Sequence, residues 1–303
     1  MLPAMADHRV LFIPGPTEVD EELRAVMARP LCGHRDPAFV ALVQTVCTGL
    51  RELFVGADHA AFETCPATAV MEAAIRNFVP PGGRTLHLVG GAFGARWHDI
   101  ARSTGRSPEA LTVPLGRAHD PEQVGQRLRR GPPVDAVCIT HNETSTGVLQ
   151  PLAALAQAVQ HAQPEALLLV DVVTSLAGAE LRCGEWQLDF AFAGTQKCLA
   201  LPPGLCAYAA SERAVQRAAT IPDRGFLLDF VHAIPETVAG RTVATPCVPL
   251  VFALARQLER IAAEGLEARW ARHRHLRDHT LAWAERHGLG AFVVDPDARS
   301  PTV

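Results

Sequence analysis

The chain lacks the features that mark membrane, secreted and nucleic-acid-binding proteins. No apolar run approaches the ~20 residues that a membrane-spanning helix needs. The N-terminus lacks the apolar stretch of a signal peptide. The formal net charge of −4 gives no electrostatic reason for binding nucleic acid or an anionic membrane. We therefore expect neither a membrane nor a nucleic acid as a partner.

The cysteines lack the spacing of a metal site or of a disulfide framework. The eight cysteines include no C-x-x-C pair, and several lie in apolar, strand-like runs. Buried free thiols are therefore expected, and no metal site is predicted. This cysteine usage favours a reducing, cytoplasmic compartment.

The pattern that is present predicts an α/β fold with a mostly parallel central sheet. Short apolar runs alternate with helix-length amphipathic segments. The run Ala166–Val170 is apolar at every position, so helices are expected on both faces of the sheet. Strands are predicted at 60–64, 84–89, 110–114, 134–140, 166–170, 189–193 and 204–209, and helices at 67–79, 92–104, 121–130, 151–162, 250–264 and 266–287.

The pattern changes near Pro249, and no further buried strand is predicted until 292–294. We therefore predict a large domain over 1–250 and a partial, small α+β domain over 251–303. One strand by itself has nothing to pair with, so the second domain looks unfinished and the chain looks truncated.

A carboxylate and a lysine follow two of the predicted strands. Asp171 ends one apolar run, and Lys197 follows the run that begins at Asp189. A buried carboxylate needs a cationic partner, and apolar neighbours lower the pKa of a lysine toward a neutral, nucleophilic amine. This pair is what a pyridoxal phosphate enzyme requires, because the lysine forms a Schiff base with the cofactor aldehyde while the carboxylate keeps the pyridine nitrogen protonated. Taken singly, the lysine fits a side chain reaching solvent, and the aspartate fits an arginine partner.

Three strand-to-helix junctions supply the other contacts that such a cofactor needs. Within 63–72, free amides at a helix N-terminus and the hydroxyl of Thr68 can hold a phosphate. Phe93 can stack on a pyridine ring, and Thr144 can donate to a phenolate oxygen. Each junction alone also fits a capped helix, a core phenylalanine or a turn. Their joint occurrence with Asp171 and Lys197 carries the prediction.

These residues together resemble the class V aminotransferases of the fold-type I pyridoxal phosphate enzymes. Within that family they resemble the alanine–glyoxylate and serine–glyoxylate (serine–pyruvate) aminotransferases. The resemblance runs from Phe12 to the last residue. Its strongest stretches are Pro14–Thr17, Gly33–Arg35, Thr140–Pro151, Val170–Ser175 and Gly194–Gly204.

The resemblance implies a role for each matching position. Lys197 corresponds to the Schiff-base lysine and Asp171 to the partner of the pyridine nitrogen. Gly15 lies where the substrate approaches, within an N-terminal segment (1–20) near the substrate entrance. The family works as a homodimer with shared active sites, and Thr245 corresponds to a residue that reaches the phosphate of the neighbouring subunit. The implied cofactor contacts are Ala67, Thr68, Phe93, Thr144, Asp171, Val173, Gln196, Lys197 and Thr245.

The activity implied is transfer of an amino group from a small amino acid, of the alanine or serine class, to glyoxylate or pyruvate. Two departures of this sequence from the family's pattern bear on that activity. The phosphate turn reads Pro66-Ala67-Thr68 where relatives usually have Ser-Gly-Thr, which removes one amide donor and the freedom of a glycine. Relatives also continue past Val303 with an arginine that pairs with the substrate carboxylate. A truncated, catalytically weak homologue is therefore one alternative.

Other reactions remain open at this point. A 2-aminoethylphosphonate transaminase, a desulfurase or a lyase would use the same cofactor, although a desulfurase needs a mobile cysteine that none of the eight clearly supplies. A nucleotide-binding or dehydrogenase domain would need a G-x-G-x-x-G turn, which Gly90–Gly94 matches only superficially. A non-catalytic remnant that only dimerises is the last alternative.

Overall fold

The computed structural model describes residues 10–303, so the first nine residues of the predicted N-terminal segment lie outside it. Nine strands are formed in this part of the chain. They are β1 (His59–Glu63), β2 (Arg84–Val89), β3 (Ser107–Thr112), β4 (Ala136–Thr140), β5 (Asn142–Glu143), β6 (Val148–Leu149), β7 (Leu167–Asp171), β8 (Phe190–Gly194) and β9 (Cys206–Ala210).

Seven of the strands form one sheet in the order β1-β9-β8-β7-β4-β2-β3, and β5 pairs with β6 in a small hairpin. Strand β9 runs antiparallel to both of its neighbours, and every other pairing in the large sheet is parallel. Strands β1, β8, β7, β4, β2 and β3 therefore all point the same way. Their carboxyl ends meet at one edge, where ligands bind in open α/β sheets.

Ten α-helices surround the sheet within residues 10–303. They are α1 (Glu21–Met27), α2 (Pro37–Leu53), α3 (Ala67–Phe78), α4 (Ala92–Ser103), α5 (Pro121–Arg130), α6 (Leu152–Ala162), α7 (Glu212–Thr220), α8 (Phe230–Val238), α9 (Val248–Glu264) and α10 (Leu266–Arg286). None of these helices combines the length and the hydropathy that a membrane crossing needs.

The sheet is buried on both faces, as its apolar strands predict. Along β7, Leu168 and Val170 pack into one core cluster, which includes side chains of α2, α6 and α9. The alternate residues Leu167 and Leu169 pack into a second cluster, which includes side chains of α3, α4 and α8. Successive side chains of a strand point to opposite faces, so a strand covered on both faces must be apolar throughout. The predicted fold class is confirmed.

Two predicted strands need correction. The strand expected at 110–114 is β3, which begins at Ser107 because it pairs with β2 from Arg84 onwards. Pro108 obscured this start, and it is tolerated because β3 is an edge strand, where a missing N–H costs little. The strand expected at 292–294 is wrong, because this segment is a bend whose first and last residues are exposed. The domain boundary near residue 250 stays a prediction.

Candidate active site

Asp171 and Lys197 lie at the same edge of the sheet. Asp171 is the last residue of β7, and Lys197 follows the end of β8 by three residues. The two strands are parallel neighbours in which Asp171 is opposite Phe192. Lys197 is close enough to Asp171 for its positive charge to lower the pKa of the carboxyl group. The structure therefore brings the two predicted catalytic residues together.

Asp171 is a buried carboxyl group whose charged form needs a partner. Its Oδ1 atom accepts a hydrogen bond of 2.8 Å from the amide of Val173. Burial raises the pKa of Asp171 to about 7, against the opposing effects of the Val173 amide and of the charges on Arg96 and Lys197. A protonated ring nitrogen would satisfy this carboxylate, so Asp171 fits the pyridine end of the predicted cofactor.

Lys197 is the sole lysine of the 303-residue chain, a compositional signal that the motif-based prediction did not use. Its side chain is half-buried, and Nζ donates to the carbonyl oxygen of Pro14 at 3.3 Å. Burial lowers the pKa of Lys197, while the neighbouring Cys198 and Asp171 oppose that shift. A lowered pKa increases the fraction of neutral amine, which is the form that attacks a carbonyl group.

Gly15 lies directly over the lysine. A Cβ atom at this position would be 2.5 Å from Cδ and 2.8 Å from Nζ of Lys197, and φ is +146°. Only glycine allows the backbone to come this close in that conformation. The N-terminal segment is held there by a 3.2 Å hydrogen bond from the Thr17 amide to the Gln196 carbonyl.

The start of α3 is open toward the same edge. Glu63, the last residue of β1, and Gly194, the last residue of β8, both pair with Cys206 of β9. No side chain caps α3, and the described residues offer no acceptor to the amides of Ala67 and Thr68. Pro66 is the N-cap residue, so the proline removes no donor from the first turn. Two free amides at a helix N-terminus fit a phosphate group despite the altered turn.

Phe93 lies at the start of α4 after β2, Thr144 in the turn between β5 and β6, and Val173 in the loop after β7. Phe93 is half-buried, with the guanidinium carbon of Arg96 4.9 Å from its ring centroid. The hydroxyl of Thr144 donates to that of Thr174 at 3.1 Å. All three belong to segments at the edge that carries Asp171.

The remaining two candidate residues are Gln196 and Thr245. The side-chain amide of Gln196 folds back over Gly194, where a Cβ atom would lie 2.5 Å from Oε1. Thr245 is exposed, in the segment that precedes α9. Two residues later, the amide of Cys247 donates to Oγ1 of Thr64 at 3.0 Å, beside the start of α3.

Glu143 is a residue of this edge that the sequence analysis missed. It is 1% exposed, and its carboxylate accepts from the amides of Phe93 and Gly94, both at 3.1 Å, and from the Ser145 hydroxyl at 2.6 Å. A carboxylate at a helix N-terminus is stabilised by the free amides there. Glu143 thereby fixes the start of α4, and with it Phe93, against the loop that carries Thr144. The available signal was a glutamate in the polar run that follows the buried strand β4.

A cavity of about 370 Å³ opens beside Lys197. It lies between the N-terminal segment, the turn after β8 and the facing sides of α9 and α10. Pro14, Thr17, Thr174 and Lys197 contribute to its wall. The amine of Lys197 is therefore reachable by a small molecule.

Comparisons with known proteins agree with this geometry. The family model described as aminotransferase class-V matches residues 63–301. A Synechococcus protein named soluble hydrogenase, small subunit, is 35% identical over 99% of this chain and 78% of its own length. The L-aspartate–glyoxylate aminotransferase of Paracoccus denitrificans is 32% identical over 99% of this chain and 76% of its own length.

Among solved structures, the alanine–glyoxylate aminotransferase of Nostoc superposes with a TM-score of 0.93 at 30% identity. The superposition covers 99% of this chain and 80% of that one. The names of these relatives differ, and what they share with this chain is the family and the fold.

Proposed function

The chain belongs to the class V aminotransferases, and we propose that it moves the amino group of a small amino acid, of the alanine or serine class, to glyoxylate or pyruvate. The family is pyridoxal 5′-phosphate-dependent. Glyoxylate appears in the names of both the Paracoccus and the Nostoc relatives, whereas their amino donors differ. The observation that carries the proposal is the pairing of a buried Asp171 with a half-buried Lys197 at one strand edge.

We propose that the cofactor lies along this edge, because the residues present fit it. The open start of α3 would take the phosphate through the amides of Ala67 and Thr68. Asp171 would hold the ring nitrogen. The other proposed contacts are Phe93 on the ring face, Thr144 near the phenolate oxygen, Val173, Gln196, and Thr245 from the second subunit.

When bound, pyridoxal phosphate supplies an aldehyde that exchanges amino groups and a ring that accepts electron density from the substrate. The chain's own residues supply the rest. Nζ of Lys197, with its lowered pKa, carries the proton that leaves Cα of the amino donor. Asp171 keeps the facing nitrogen protonated, and Gly15 leaves room above Nζ for the substrate to approach through the cavity.

We also infer that the enzyme is a homodimer in the cytoplasm. Large apolar side chains near the N-terminus are exposed, among them Phe12 at 97%, and Phe226 is exposed at 82%. Exposed groups of this kind are typical of a surface that a second subunit covers. The eight cysteines are free, which suits a reducing compartment.

The test is keto-acid formation from a panel of amino acids with glyoxylate and with pyruvate. We expect alanine or serine to be the preferred donor with glyoxylate as acceptor. Aspartate and 2-aminoethylphosphonate belong in the panel, together with sulfide release from cysteine. Sulfide release without transamination would contradict the proposal and favour a desulfurase.

A further inference from the structure

Arg269, in the first turn of α10, joins three separate parts of the molecule. Its Nη2 atom donates to the carbonyl oxygen of Cys198 at 2.7 Å, and Nε donates to that of Ala177 at 3.1 Å. Its Nη1 atom donates to Glu264 at 2.8 Å. The residue is only 9% exposed, so these bonds are shielded from water.

The two carbonyl groups belong to the segments that follow Asp171 and that carry Lys197. Cys198 is next to the lysine in the turn after β8, and Ala177 lies in the loop after β7. These segments also touch directly, since Sγ of Cys198 lies 3.5 Å from the carbonyl oxygen of Thr174. One guanidinium group therefore spans the backbones that carry both predicted catalytic residues.

The local backbone needs such support. Ala177 has a φ of +66°, a left-handed conformation that an alanine adopts only when its surroundings impose it. Ala200, in the turn that begins at Lys197, has a φ of +51°. A planar guanidinium with fixed donor directions can hold two carbonyl groups in one geometry, which a lysine ammonium cannot do.

Glu264 holds the guanidinium in this orientation. Hydrogen bonds from Arg272 and Arg269 lower the pKa of Glu264 to about 2, so its carboxylate stays charged at neutral pH. With Nη1 bonded to this carboxylate, the other donors of Arg269 are aimed at the two carbonyl oxygens. Arg272 shares the same carboxylate, and its hydrogen bonds go to Glu264 and to neither carbonyl group.

We propose that Arg269 is a positioning residue that holds the Lys197 backbone at a fixed offset from the loop after Asp171. The inference rests on the proposed function, because it takes Lys197 to be the reactive amine. Without Arg269 the turn loosens, the lysine becomes more hydrated, and its pKa moves back up toward the ordinary value for a lysine.

The experiment measures the pKa of Lys197 in the full chain before cofactor is added. Trinitrobenzenesulfonate labelling is followed as a function of pH, and peptide mass mapping separates Lys197, the sole lysine, from the N-terminal amine. The variants are Arg269→Met and the matched control Arg272→Met. Both remove one positive charge and one partner of Glu264, but only the first removes the carbonyl contacts.

We expect Arg269→Met to raise the pKa of Lys197 by about half a unit or more, roughly a threefold loss of neutral amine at a fixed pH below that pKa. It should also speed amide exchange in the turn 195–201. Arg272→Met should lower the melting temperature while leaving the Lys197 pKa close to that of the unmodified chain. Equal pKa shifts in the two variants, or no shift in either, would overturn the inference.

Should Arg269→Met fail to fold, Arg269→Lys is compared with Arg272→Lys, and peptide mapping then separates Lys197 from the lysine that each variant introduces. A larger pKa rise in Arg269→Lys supports the inference, and equal values in the two variants overturn it. Because labelling needs no cofactor, this outcome is independent of whether the chain catalyses transamination.

Discussion

Glu63 and Asp171 are two buried carboxyl groups at the same edge of the sheet, and they differ in what faces them. Glu63 ends β1 and Asp171 ends β7. Burial raises the pKa of Glu63 to about 8 and that of Asp171 to about 7. Oε1 of Glu63 finds no hydrogen-bond partner within residues 10–303. Asp171 accepts a backbone amide and lies near the positive charge of Lys197.

The comparison predicts that burial alone does not make a carboxyl group catalytic. A carboxyl group with no cation nearby is most stable in its neutral form, as Glu63 is expected to be at pH 7. A carboxyl group beside a lysine, with room for a protonated ring, can hold its charge when the partner binds. The two carboxyl groups therefore differ more in the charge that faces them than in how deeply they are buried.

The largest expected effect comes from removing the cation that faces Asp171. Lys197→Ala should lower turnover by about 10²–10⁴-fold, because no other amine can carry the proton from Cα. Cofactor binding should be retained through the phosphate contacts. Single-turnover kinetics together with equilibrium dialysis of pyridoxal phosphate would measure both effects. A Lys197→Ala enzyme that still turns over in a single-turnover assay would remove the lysine from its proposed role.

Isosteric replacement of the two carboxyl groups tests the comparison directly. Asp171→Asn should lower kcat by about 10²-fold or more, because a neutral amide cannot keep the facing nitrogen protonated. Glu63→Gln should leave kcat within about threefold, since the amide resembles the neutral acid that Glu63 already is. Steady-state rates of the two variants test this expectation. Similar losses of kcat in both would contradict the proposed difference between Asp171 and Glu63.

Glu63 should also make the free energy of unfolding fall as pH rises. Its folded pKa of about 8 lies above the unfolded value of about 4.3, so the folded state binds more protons in between. The stability that Glu63 contributes in full below about pH 4.3 is therefore lost progressively between pH 4.3 and pH 8. The total loss is on the order of a few kcal/mol.

Denaturant unfolding of the unmodified chain and of Glu63→Gln between pH 5 and pH 8 measures this loss. The pH dependence that Asp171 adds is common to both proteins and cancels in the difference. Parallel stability curves would show that Glu63 titrates normally in the folded chain.

Gly15→Ala tests the space above Lys197 without changing a charge. The new Cβ atom would collide with the lysine side chain, and φ is +146°. We expect kcat to fall by about tenfold, since displacement of a catalytic group by about 1 Å is costly. Gly82→Ala is the matched control, because Gly82 has a φ of +73° and no atom within 4 Å of the added Cβ. The control should lose about 1 kcal/mol of stability and no activity.

Much of the fold could be predicted because its signals are local. Apolar runs such as the one ending at Asp171 mark buried strands, and the amphipathic periodicity of residues 121–130 marks a helix. The strand start at Ser107 was missed because Pro108 hides it and only the pairing with β2 reveals it. The predicted strand at 292–294 is wrong because local β-propensity does not supply a neighbouring strand.

The site was predictable only in part, because some of its contacts join residues that are far apart in the sequence. Lys197 and Asp171 follow recognisable strands, so their positions could be inferred. Glu143 contacts Phe93 across 50 residues of sequence, and Arg269 contacts Cys198 across 71. No periodicity or spacing in a single sequence reports such distant contacts.

The central claim is a covalent link between Nζ of Lys197 and pyridoxal 5′-phosphate. Loading the full chain with the cofactor, reducing it with borohydride and mapping the peptides by mass spectrometry tests this link directly. The account predicts one modified peptide, the one that contains Lys197, and its loss in Lys197→Arg. Modification at the N-terminal amine alone, or none in a folded sample with excess cofactor, would contradict it.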